Sequence, residues 1–135
     1  MNEITVHLSS TDIRALFTAP KQLVPAPGVG KAIVPIAAII TYRFATTPYA
    51  IGSFLVIGPV GVGLLIAPEV ALIDQSWDMT VMFAPGVMGS PIAFSTPERP
   101  SYFLNKPLLL FDGSANPTLG DGTATVTVWY AVVTL

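Results

Sequence analysis

The chain has 135 residues, enough for one domain with a real core. Hydrophobic residues make up 52% of it and charged residues 10%, against roughly 25% charged in an ordinary soluble domain, so a lone monomer would be poorly solvated. That leaves a membrane or extensive contact with other subunits; a net charge of −2 with six scattered basic residues excludes a nucleic-acid footprint, and the lack of cysteine excludes disulfides and thiolate chemistry while leaving the redox compartment open.

The opening stretch, "MNEITVHLSSTDIRALF", has Glu3 early and no apolar run before Asp12, so it is expected not to be a secretory signal. Residues 1–8 are expected to form an N-terminal arm. "SSTDIRALF" is the one helical stretch: Ser10 or Thr11 can cap it, Asp12 suits its first turn, and Ile13, Leu16 and Phe17 share a face until Pro20 stops it. The 11 glycines and 13 prolines fall at intervals of about ten residues, which predicts short strands and turns in a sandwich or barrel. "KAIVPIAAIITYRF" (31–44) predicts a strand with a bulge or edge at Pro35. "YAIGSFLVIG" and "VGLLIAPEVALI" are further apolar runs, and "PIAFS" and "KPLLLFD" read as short strands. In "WDMTVMFA", Trp77, Met79, Val81 and Phe83 alternate with Asp78, Thr80 and Met82.

The last segment, "GDGTATVTVWYAVVTL", opens on a Gly-Asp-Gly turn. Ala124, Val126, Val128, Tyr130 and Val132 then line one face, and Thr123, Thr125 and Thr127 the other. Beyond them the second face becomes apolar, through Trp129, Ala131, Val133 and Leu135. Such a strand is expected to leave the core and meet a neighbouring subunit. No internal repeat or low-complexity linker interrupts a single domain over 1–135.

The chemical motifs fail on inspection. "LVPAPGVGKAIV" has the Gly30-Lys31 pair of a phosphate loop, but Pro25 stands where the first glycine belongs and Ala32 where the magnesium-binding hydroxyl belongs. A strand, not a helix, follows. A plain turn between two extended segments is expected. One histidine, His7, cannot make a His-rich metal site and is badly placed to serve a catalytic triad. Asp74 and Asp78, or Glu69 and Glu98, would be the candidate pairs for glycoside hydrolysis, but no sugar-stacking aromatics cluster near them. Asp112, Ser114, Asn116 and Asp121 could hold a loose calcium ion, though not in the EF-hand pattern. Trp77, Trp129 and the four tyrosines are expected to be mostly core or interface rather than a sugar platform. The uncharged run from Phe44 to Pro68 is 25 residues long, but it holds Pro48, Gly52, Gly58, Pro59, Gly61, Gly63 and Pro68, so short β segments fit it better than a spanning helix.

The order of a capped short helix, "LVPAPGVGKAIVPIAAIITY", "TTPYA", "NKPLLLF" and a C-terminal "GDGTATVTVWYAVVTL" resembles small β-sandwich structural proteins of tailed bacteriophages, of the head decoration (cement) type. The resemblance implies an all-β, antiparallel β-sandwich of jelly-roll-like form with one short N-terminal helix. It further implies cyclic oligomers, trimers foremost, on the outer surface of a virion assembled in the host cytoplasm. No catalytic residue and no cofactor comes with it.

The expected function is therefore that of a capsid decoration protein, not an enzyme, with itself and the major capsid protein as partners and no role for nucleic acid or membrane. Phe54, Val56, Leu64, Ile66, Trp129, Val133 and Leu135 are the expected oligomer interface. Asn2, Ile4, Val6 and His7 of the arm, with exposed loops, are expected to contact the capsid lattice. The alternatives are a tail or receptor-binding module gripping a host surface glycan, and a glycan-degrading enzyme using Asp74 or Asp78.

Overall fold

The computed structural model describes residues 1–50, 54–59, 65–68, 72–83 and 100–135. These form eight strands: β1 (Asn2–Leu8), β2 (Lys21–Val24), β3 (Lys31–Arg43), β4 (Phe54–Gly58), β5 (Leu65–Pro68), β6 (Met79–Phe83), β7 (Leu108–Asp112) and β8 (Thr123–Thr134). One helical turn, α1 (Ser10–Ile13), and a 3-10 turn at Pro100–Tyr102 complete the regular structure.

The strands make two antiparallel four-stranded sheets, in the orders β1-β8-β3-β6 and β2-β7-β4-β5. Every connection except β4–β5 passes from one sheet to the other. That winding is the double Greek key of a jelly roll, and the fold is the expected all-β sandwich. The core lies between the sheets: Leu8, Ile40, Tyr42, Phe83, Val126 and Val128 from the first meet Leu23, Leu55, Ile57, Leu108 and Leu110 from the second. Each such side chain contributes about 1.5–3 kcal/mol on burial.

The strand patterns follow from side-chain alternation. In β8, Ala124, Val126 and Val128 point into the core, while the threonines between them do not. In β6, Met79, Val81 and Phe83 turn inward and Thr80 and Met82 outward. Trp77 does not continue that inner face; it lies before the strand and is exposed. β3 is interrupted where expected: its register against β8 shifts between Pro35 and Ala37, because proline has no N–H for the ladder. Before β3, Gly28 (φ 110°) and Gly30 (φ 74°) take left-handed backbone in a turn, so the glycine-lysine stretch feeds a strand. "PIAFS", Glu69 and Glu98 lie outside the described residues.

Two expectations are corrected. The helix cap is Ser9, one residue earlier than expected: its hydroxyl accepts from Asp12 N–H at 3.1 Å and the Asp12 carboxylate accepts from Ser9 N–H at 3.0 Å, a reciprocal capping box. Ile13 and Leu16 are buried, but Phe17 is exposed. The second correction concerns residues 1–8, which do not form a free arm. Asn2–Leu8 pairs with β8 in unbroken register, from Asn2↔Tyr130 to Leu8↔Ala124. Ile4 and Val6 pack against the core, which gives this segment a reason to join the sheet.

Candidate contact surface

The outward face of the first sheet changes character along its length. At one corner the exposed pair Arg43–Asp78 is 2.8 Å apart. Next comes a row of hydroxyls, in which Thr125 stands beside His7 on one side and Thr41 on the other, with Thr80 opposite Thr41. The following row runs Thr5, Thr127, Ile39, Met82. Hydrogen bonds tie β1 to β8 across this face: Thr5 Oγ1 to Thr127 Oγ1 at 3.0 Å, His7 Nδ1 to Thr125 Oγ1 at 3.1 Å, and Trp129 Nε1 donating to Glu3 Oε2 at 3.1 Å.

Among the described residues, β1 pairs no further than Tyr130 and β6 no further than Ala38, while β3 and β8 continue as a ribbon as far as Lys31↔Thr134. Its outward side carries Ala131 and Val133, paired with Val34 and Ala32. Leu135 is 69% exposed and Val34 43%. Ile33, Val34, Pro35, Phe103, Val133 and Leu135 bound an apolar groove of about 250 Å³. The groove has a firm rim: Leu135 N–H donates to Gly30 O at 3.0 Å, Asn105 N–H donates to Lys31 O at 2.7 Å, and Asn105 Oδ1 accepts from Gly28 N–H at 2.9 Å.

The carboxylates have structural occupations. Asp78 takes the Arg43 guanidinium and the Phe44 N–H, which hold its carboxyl below the usual range. Asp74 accepts from Gln75. Asp121 accepts from the Thr46 hydroxyl, Thr46 N–H and Thr47 N–H; led by the hydroxyl bond, these lower it to about 2. Asp112 accepts from the N–H groups of Ser114 and Ala115, and Asn116 from those of Phe17 and Thr18. The oxygen donors of this loop region are thus drawn toward three different backbone segments, and among the described residues no group of three His, Cys, Asp or Glu could hold a metal. No helix of the described residues is long and apolar enough to cross a membrane.

No family model matches the chain, and no curated protein or solved structure does either. The contact residues expected from sequence therefore stand on geometry. Val133 and Leu135 line the groove, whereas Trp129, on the same side of β8 as Val133, is tied to Glu3 of β1. Val56 lies in the opposite sheet and is already buried within the chain, 7% exposed. Phe54 and Ile66 stand on β4 and β5 of that same sheet, and Leu64 lies outside the described residues. The expected interface is therefore split between the two layers. Of the expected capsid contacts, Ile4 and Val6 face the core, whereas Asn2 and His7 are exposed. Sequence reasoning missed β1 as a sheet edge, although the alternation Glu3-Ile4-Thr5-Val6-His7-Leu8 was the signal for it.

Proposed function

We propose that this protein is a structural component of a virion: a capsid decoration protein that self-associates and binds the major capsid protein lattice from outside. The observation that carries this reading is the apolar strip of Val34, Val133 and Leu135 beside Phe103 at the end of the β3–β8 ribbon, where Leu135 is 69% and Val34 43% exposed. A chain with 10% charged residues that leaves such a strip on its exterior gains by covering it with protein. Jelly rolls serve in viral shells among other roles, so the winding agrees with the reading without selecting it. Many copies on one lattice make weak individual contacts sufficient, because each bound copy raises the effective concentration of the next contact.

Co-sedimentation with expanded phage heads tests the proposal. The protein is expected in the particle fraction and in solution as a homo-oligomer, with a trimer as the state the family resemblance implies. Failure to bind heads, with binding to host cells or surface polysaccharide instead, would replace it by the receptor-binding reading.

A further inference from the structure

We propose that β1 is a self-docking edge: two copies of this chain pair β1 against β1, antiparallel and centred on Thr5, to form one continuous eight-stranded sheet. β1 is the terminal strand in its sheet's order, with β8 on one side and no strand of the described residues on the other. The direction of its backbone groups follows from one bond. Leu135 N–H donates toward β3, at Gly30 O, so odd-numbered residues of β8 face β3 and even-numbered ones face β1. Tyr130, Val128, Val126 and Ala124 thus bond Asn2, Ile4, Val6 and Leu8. Glu3, Thr5 and His7 then aim their N–H and C=O groups away from the sheet. The close side-chain contacts Thr5–Thr127 and His7–Thr125 agree, since non-hydrogen-bonded pairs bring side chains nearest.

Protected edges carry proline, lysine or a bulge. β1 has none of these over seven residues, whereas β2 begins with Lys21 and β5 ends with Pro68; β6, the other terminal strand of the sheet, also lacks them but spans only five residues. What β1 does carry is matched to itself. An antiparallel pairing centred on Thr5 sets Glu3 opposite His7 of the second copy and His7 opposite Glu3 of the second copy. Thr5 faces its own counterpart. Donor–acceptor complementarity between the His7 imidazole and the Glu3 carboxylate therefore selects a second copy in one register, because any slip by two residues breaks both carboxylate–imidazole contacts. The Thr5, Glu3 and His7 backbone groups exchange six hydrogen bonds across the two-fold axis. That axis stands perpendicular to the sheet, so the apolar strips of both copies stay on one side, available to a shell.

This inference rests on the shell reading and adds to it a two-fold contact, separate from any contact that closes a trimer, and its test separates the two. The chain has no cysteine, so Thr5→Cys provides a single thiol. Opposed hydrogen-bonded residues have Cα atoms about 5.5 Å apart, within disulfide reach. Mild oxidation is expected to give a covalent dimer from Thr5→Cys and none from Thr18→Cys. Sedimentation across a concentration series is expected to show self-association falling about tenfold or more in His7→Glu, which opposes carboxylates at both ends, and returning in the double variant Glu3→Lys with His7→Glu. Equal association of all variants, no rescue in the double variant, or no Thr5 cross-link would overturn the β1 contact. Loss of head binding with this pattern intact would overturn the shell reading alone.

Discussion

The Tyr49 hydroxyl donates a 2.6 Å hydrogen bond to the carbonyl of Gly122, joining the segment before β4 to the turn that opens β8. Its ring covers Gly120, where any Cβ would run into the ring carbons, and packs edge-on against Tyr42 with centroids 6.2 Å apart. The Ala50–Thr118 bridge, with 2.8 Å bonds each way, closes the same corner. Gly120→Ala is expected to cost about 2 kcal/mol or more by overpacking. Tyr49→Phe is expected to cost about 1 kcal/mol for the lost hydrogen bond. Urea denaturation of both variants checks the order, and equal stability of Gly120→Ala and wild type would refute the close packing.

The same corner sets the pH limits of stability. Hydrogen bonds lower Asp121 from 3.8 to about 2, so its contribution is present above the unfolded value and disappears as pH falls from about 4 toward 2. Burial raises Tyr49 from 10.0 to about 12, so its contribution is present below pH 10 and is lost as pH rises toward 12. Melting temperature measured against pH is expected to fall at both ends. Asp121→Asn should flatten the acid limb and Tyr49→Phe the alkaline one; unchanged limbs would contradict these assignments.

The Ser9–Asp12 capping box fixes where β1 ends and the chain turns into the core at Ile13 and Leu16. Ser9→Ala is expected to cost about 1 kcal/mol, and Ser10→Ala, beside it, only a few tenths. Chemical denaturation distinguishes this cap from the one expected at Ser10 or Thr11.

The groove at the end of the β3–β8 ribbon is expected to matter for association rather than for folding. Val34→Asp and Leu135→Asp place charges on exposed apolar positions of the groove, so melting should move little while self-association and head binding weaken. Light scattering with a thermal melt on each variant separates the two effects. A collapse of folding without loss of association would refute the assignment.

Much of the strand pattern was legible. The threonine-valine alternation from Thr123 to Val128 specifies which face of β8 is buried, since a strand repeats every two residues. Pro35 was legible as a bulge for want of an N–H. β1 was not, because Glu3 and His7 read as a polar arm until Ile4 and Val6 are seen against the core. Trp77 was misplaced for the opposite reason: its spacing continues the Met79 face, but the strand starts after it.

The sequence by itself determined an all-β chain, its turns at Gly28–Gly30 and Gly120–Gly122, and a low content of charged residues, because periodicity, backbone freedom and charge are local or additive quantities. Only the tertiary structure decided that β1 is, among the described residues, an edge strand, that Val56 and Trp129 lie in opposite layers, and that β3 and β8 pair with each other beyond their described pairing with β6 and β1. Those facts depend on which strands pair and where pairing stops. Strand pairing is a contest among distant segments of similar apolar character, and no single segment records its result.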